Sequence, residues 1–217
     1  MNFSVARHNM VESQIRTNRV TDRRLIEALD AVPLEAFLPG ELGAVAYSDG
    51  EISIGGGRSI PEPMVFARMV QAAAIGQDDV VLDVGCATGY SSAVLARLAT
   101  TVVALESDPA LVERAGILLA QQGAVNVAVA VAALEKGDPA HGPYDVIMVE
   151  GAVPKLPEAL LGQLAEGGRL VAVVGDGAGM GRVVVAQRNG QAISRHVVFD
   201  AAAPSLPGFE APAGFAF

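Results

Sequence analysis

With 217 residues the chain is long enough for one sizeable core, and apolar residues make up 51% of it. A formal net charge of -9 is the wrong sign for gripping nucleic acid by its phosphates, and no apolar run approaches the roughly 18 residues of a membrane-spanning helix. A single cysteine, Cys86, excludes an internal disulfide, and His8, His141 and His196 lack ligand spacing, so a reducing, cytoplasmic setting and no bound metal are expected.

Apolar positions Val5, Met10, Val11 and Ile15 predict an amphipathic helix from Phe3 to Ile15. Thr21-Asp22 then offers a cap for a second helix, Arg23 to Ala31, which Val32-Pro33 ends. Arg7, Arg16, Arg19, Arg23 and Arg24 in this region read as a solvated face, with a site for an acidic substrate group as the other reading. Short helical pieces follow at Leu34 to Leu38 and Leu42 to Tyr47. The stretch from Asp49 to Glu62 is turn-rich: Ile52 to Ile54 reads as a short strand, and Gly55-Gly56-Gly57 as either flexible surface or a loop whose backbone passes close to a ligand, the long helix that follows favouring the second. Pro63 opens a helix over Met64 to Ala74, with Gly76 as its stop.

The stretch that organises the rest is Val80 to Gly89. A continuous apolar run ending in Gly85-Cys86-Ala87-Thr88-Gly89 and passing into a helix through Leu98 reads as a buried parallel strand, a tight turn and a helix N-terminus. Gly85 and Gly89 allow backbone to approach a ligand, and the helix start directs unpaired N–H groups at it. The dinucleotide fingerprint is not met, because Ala87 and Tyr90 stand where its second and third glycines belong. The next apolar run, Val102 to Leu105, ends in Glu106, an acceptor placed where a second strand meets the ribose hydroxyls of a bound adenosine. With Asp83 before the turn, this resembles the S-adenosylmethionine-binding motif of the seven-stranded methyltransferases. A Gly turn serving packing alone is the competing reading.

Beyond it, Asp108-Pro109 starts a helix to about Gln122, and a third strand is expected near Val125 to Val131, extendable toward Leu134. A fourth strand over Val146 to Val149 ends at Glu150-Gly151, at the sheet edge where open α/β folds bind ligands. A helix from Pro157 to Leu164, a fifth strand over Arg169 to Val174, and a hairpin of Val183 to Gln187 with Ala192 to Phe199 about Asn189-Gly190 follow. The tail from Pro204 reads as irregular. The alternation gives an α/β, Rossmann-like seven-stranded sheet, mostly parallel with an antiparallel C-terminal hairpin strand and helices on both faces. One domain spans 1–217, with 1–75 as a helical cap carrying the active-site loop and 76–217 as the core.

The run Met10 to Arg16, then Val32-Pro33 with Phe37, Tyr47, Ile54-Gly55, Val81 to Tyr90, Pro143-Tyr144-Asp145, Pro157 to Leu160 and Gly167 to Leu170 resembles protein-L-isoaspartate O-methyltransferase. The resemblance implies methyl transfer from S-adenosylmethionine to the carboxylate of an isomerised aspartyl residue. A polypeptide carboxylate or a small-molecule acceptor, no nucleic-acid or membrane partner, and a monomer are the corresponding expectations. The family loop Gly-Gln-Thr-Ile-Ser falls on Gly57-Arg58-Ser59-Ile60-Pro61, so the family's active-site Ser is replaced by Pro61, which has no hydroxyl. Arg58 and Ser59 are the candidates to hold the acceptor carboxylate instead. The family's acidic residue after the third strand falls among Ala132-Ala133-Leu134, with Glu135 as a substitute. Cofactor contacts are expected from Ile60, Asp83, Gly85, Cys86, Gly89, Tyr90, Glu106, Ser107, Ala133, Leu134 and Glu150. The alternative function is a catalytically impaired binding module that keeps the cofactor pocket.

Overall fold

The computed structural model describes residues 2–209. Its centre is a seven-stranded sheet in the order β5-β4-β3-β6-β7-β8-β9. The strands are β3 (Val80–Val84), β4 (Thr101–Glu106), β5 (Val127–Val131), β6 (Tyr144–Val153), β7 (Leu164–Val174), β8 (Met180–Asn189) and β9 (Ala192–Ala202). β5, β4, β3, β6 and β7 pair parallel, whereas β8 pairs antiparallel to both β7 and β9. The expected sheet is therefore present, with β8 as its one reversed strand. A small hairpin, β1 (Ile52–Gly55) with β2 (Arg58–Ile60), stands apart from it.

Consecutive strand residues point to opposite faces, which divides each apolar run between two cores. Val81, Val102, Val146, Met148 and Val171 share one cluster with α3 (Pro63–Ala73) and with Met10, Ile15, Leu25, Leu29 and Phe37 from the N-terminal segment. Leu82, Val84, Val103, Leu105, Ile147, Val149 and Leu170 share the other with Leu134, Tyr144, Leu160 and Leu161. Both faces being covered explains why β3 reads as an unbroken apolar run with a single carboxylate in it.

Local chemistry decides the helix ends. The Asp22 carboxylate accepts from the backbone N–H groups of Arg24 and Leu25 at 2.9 and 3.3 Å, starting α2 (Arg23–Ala31) where the sequence places it. Asp108 caps α5 (Pro109–Gln121) in the same way. α1 (Phe3–Met10) is shorter than expected, because the path continues as a π-helical turn over Val11–Ile15 and a 3-10 turn over Arg16–Asn18 before Arg19 reverses it at φ 65°. Ala74, at φ 48°, ends α3 two residues before Gly76. β5 begins at Val127, since Val125 is 96% exposed. The helix expected from Pro157 shrinks to α6 (Glu158–Leu161), since β7 already starts at Leu164.

Four of the five N-terminal arginines are engaged within the protein, and Arg19 is exposed. Arg7 bonds the Asp30 carbonyl and the Tyr47 hydroxyl, Arg24 the Ile75 and Leu98 carbonyls, and Arg16 and Arg23 pair along the surface with Glu12 and Glu27. The three glycines of the β1–β2 turn take φ of 90°, 62° and 72°, and a Cβ at any of them would meet open space. Turn geometry is by itself enough to call for glycine there.

Candidate functional site

Three carboxylates converge at the carboxyl edge of the sheet. Asp83 stands opposite Ala104 on β4 and Met148 on β6, so Glu106 and Glu150, each two residues further along, project from the same face of the sheet. All three are buried. The α4 helix (Tyr90–Leu95) starts directly above them, and its Ser91 and Ser92 hydroxyls donate to Asp83 Oδ2 at 2.6 and 2.5 Å. Asp83 thus ties the strand end to the helix start. Its other oxygen and both oxygens of Glu150 receive no donor among the described residues. Burial, opposed by the two serines, pushes the Asp83 acid up to about 6, and burial with the neighbouring Asp83 charge pushes Glu150 well above the usual carboxylate range. The two acids face each other and share a proton more readily than both ionise.

Glu106 is in a different state. Its Oε2 is ion-paired with the Arg58 guanidinium and accepts from the Ala87 backbone N–H at 3.0 Å. Oε1 accepts from the Ser107 N–H at 2.7 Å, the Ser107 hydroxyl at 3.2 Å and the Asp108 N–H at 3.3 Å. Arg58 was expected to face an acceptor carboxylate; it is instead 5% exposed and turned inward onto Glu106. The cause is register: in β2 residues alternate, and Arg58 and Ile60 are the inward pair, with Ser59 between them opposite Ser53.

Ser59, Ile60, Pro61, Phe66, Gly85, Cys86, Ala87, Tyr90, Ser91 and Glu150 line one small cavity. The loop, the turn and the strand ends named from the sequence are thereby brought together. Tyr90 is fixed from both sides, edge-on to Phe37 at 5.9 Å and tilted against Phe66 at 6.0 Å. The Cys86 thiol, pushed well up by burial and the adjacent Asp83 and Glu106 charges, is a lining group and no nucleophile.

Three expected contacts lie elsewhere. Gly89, at φ 95°, turns its open side to Leu119 and Ala115 of α5, 3.1 and 3.4 Å from where a Cβ would sit, so close helix packing occupies the space expected for ligand. Leu134 is 1% exposed in the core with Tyr144 and Leu160, drawn inward by a 3-10 turn over Leu134–Lys136, and Ala133 beside it faces solvent. The segment after β9 is more ordered than an irregular tail. Ala152 N–H donates to the Pro204 carbonyl at 2.8 Å and Leu206 N–H to the Ala152 carbonyl at 2.9 Å, so the chain lies beside the end of β6. Leu206 reaches the turn: a Cβ at Gly85, which sits at φ 85°, would lie 2.8 Å from Leu206 Cδ1 and 3.3 Å from the Arg58 guanidinium. A lone apolar residue between Pro204 and Pro207 is the only trace of this in the sequence.

The donor set suits an adenosine cofactor, with a carboxylate at the strand end and a glycine of positive φ on the adjacent strand. The cavity beside Gly85, lined by Ser59, Pro61, Tyr90 and Glu150 but not by Glu106, measures about 10 Å³, room for about one water molecule. A groove of about 480 Å³ between α2 and residues 93–97 and 122–126 lies at the amino ends of the strands, away from this chemistry.

Residues 6–201 match the family Protein-L-isoaspartate(D-aspartate) O-methyltransferase (PCMT). The chain is 41% identical over 176 residues to protein-L-isoaspartate O-methyltransferase 1 of Syntrophobacter fumaroxidans, covering 81% of this chain and 82% of that one. It is 41% identical over 169 residues to the protein-L-isoaspartate O-methyltransferase of Methanoculleus marisnigri, covering 78% and 77%. Among solved structures, a protein-L-isoaspartate O-methyltransferase superposes with TM-score 0.80 at 22% identity, over 94% of this chain and 67% of that one. A putative protein-L-isoaspartate O-methyltransferase of Plasmodium falciparum in complex with S-adenosyl-L-homocysteine superposes with TM-score 0.78 at 18% identity, over 96% and 99%. These two likenesses speak for the fold.

Proposed function

The chain belongs to the protein-L-isoaspartate O-methyltransferase family, and from that premise we propose that it transfers a methyl group from S-adenosylmethionine to a polypeptide carboxylate, that of an isoaspartyl residue first among them. The observation that carries the reading is the strand-end group of Asp83, Gly85 and Glu106, standing in a chain that matches the family over residues 6–201. When bound, the cofactor supplies a methyl group on a sulfonium centre. The protein's share is placement and exclusion of water. Glu106 is the acceptor for the ribose hydroxyls, and Asp83 holds the start of α4 against the turn through Ser91 and Ser92. Ser59, Pro61 and Glu150 line the acceptor end of the cavity.

That acceptor end is poor in groups for a carboxylate. Pro61 brings no hydroxyl, Arg58 is engaged with Glu106, and Glu150 adds an acid. Losing one positioning hydrogen bond typically removes about 1 to 3 kcal/mol of stabilisation. We therefore expect isoaspartyl turnover about one to two decades below that of a relative carrying the full Thr-Ile-Ser loop. Methyl transfer to an isoaspartyl peptide, with the aspartyl peptide as control, by the parent and by Pro61→Ser tests this. Faster transfer by Pro61→Ser is the expected result; a parent already as fast as such a relative contradicts it. A cytoplasmic location belongs to the same proposal, supported by the lone, buried Cys86, and no helix among the described residues is long and apolar enough to cross a membrane.

A further inference from the structure

The ribose acceptor and the glycine cradle are both taken by side chains of the protein itself. Oε2 of Glu106 holds Arg58 and the Ala87 N–H, and Oε1 holds three donors from Ser107 and Asp108. An incoming pair of hydroxyls must displace at least one of them. The Ser107 hydroxyl can rotate away, but its departure leaves the Arg58 charge on the carboxylate. The N–H donors of Ala87, Ser107 and Asp108 belong to the backbone of the turn and of the start of α5, and they cannot leave without unmaking those elements. Arg58 can, because it sits on a three-residue strand beside a turn of three glycines whose Cβ positions open onto free space. The pair is also incompletely satisfied, since the buried Arg58 Nε has no acceptor among the described residues. On the other side of the turn, Leu206 fills the space in front of Gly85 and lies against Gly151, 3.0 Å from where a Cβ there would sit.

We propose that Arg58 and Leu206 hold the cofactor site shut, and that Arg58, by competing with the ribose for Glu106, is the residue that sets this chain's affinity for S-adenosylmethionine. The proposal rests on the methyltransferase reading above. Its physical content is a two-state equilibrium. In the closed state Glu106 is neutralised internally by a buried guanidinium; in the open state Arg58 moves to solvent and Glu106 accepts the ligand. Apparent affinity is reduced by the fraction of molecules that are open, and whatever destabilises the closed pair raises it. Glutamine keeps a long polar side chain and removes the charge, so Arg58→Gln is the informative replacement.

The test is calorimetric titration of the full chain with S-adenosylhomocysteine, for the parent, Arg58→Gln and Leu206→Ala, with hydrogen exchange at the Leu206 amide followed in the parent. The expected result is binding at least tenfold tighter in Arg58→Gln, severalfold tighter in Leu206→Ala, and faster Leu206 exchange in the saturated parent as its bond to Ala152 is released. A folded Arg58→Gln protein that binds no tighter than the parent overturns the proposal and leaves the methyltransferase reading standing. Should Arg58→Gln fail to fold, Leu206→Ala and the exchange measurement decide, and unchanged affinity with unchanged protection overturns it. Absence of binding by the parent and both variants at millimolar ligand overturns the cofactor reading and this proposal together.

Discussion

Glu106 and Arg58 are buried charges that exist only as a pair. Removing one partner of such a pair leaves an uncompensated charge and typically costs about 3 to 5 kcal/mol, far more than a surface ion pair. Glu106→Ala is therefore expected to lower unfolding free energy by about 3 kcal/mol, read from denaturant titration, as well as to lose cofactor binding. Loss of binding with unchanged stability would show that the pair does not form in solution. From the sequence Glu106 is legible as a strand-end acceptor, but its partner is not. Arg58 lies 48 positions away, and only the alternation within a three-residue strand turns it inward. Asp83 and Glu150 make a second residue-scale case with the opposite sign. The folded-state value of Asp83, about 6, lies above the unfolded value near 3.9. Its contribution to stability is thus full below about pH 4 and lost as pH rises through about 6, and Glu150, also raised, loses its contribution in the same direction. Glu150→Gln gives Asp83 an amide donor and should unfold at higher temperature than the parent at pH 8 and close to it at pH 4. A parent and variant with parallel profiles would remove the shared proton from the account.

At the scale of elements, chain punctuation was read correctly where a side chain makes it and missed where packing makes it. Asp22 and Asp108 end up as caps, and Asp22→Ala should cost about 1 kcal/mol of stability by thermal unfolding, with no effect on the site. An unchanged melting temperature would deny the cap its role. The triple glycine forms a hairpin turn, and the sequence alone does not separate an αL requirement from a close backbone approach, because both leave the same residue. Gly89 is the converse, a glycine of the motif that gives its space to α5. The segment from Ala203 to Phe209 carries no periodicity. Its order comes from two backbone hydrogen bonds to Ala152 and from Leu206 entering the core, neither of which leaves a local signal. Gly85→Val correspondingly combines strain at φ 85° with a clash against Leu206, so it should loosen this segment as well as block ligand.

For the whole molecule, alternating apolar runs were enough to give the order of strands and helices, because a parallel sheet covered on both faces must be apolar throughout its strands. The site at its carboxyl edge was legible as chemistry, a carboxylate after each of two strands and a glycine turn between. Its occupancy was not, since residues from the hairpin at one end of the chain and the segment after β9 at the other meet over it only in three dimensions. The molecule is a methyltransferase fold whose proposed cofactor site is closed by its own side chains. The most direct measurement is a crystal structure of the chain grown with S-adenosylhomocysteine. The account predicts the ribose hydroxyls within hydrogen-bonding distance of Glu106, Arg58 withdrawn from it, and Leu206 displaced from Gly85. Ligand bound with the Arg58–Glu106 pair intact, or seated away from the carboxyl edge of β3 and β4, would contradict it.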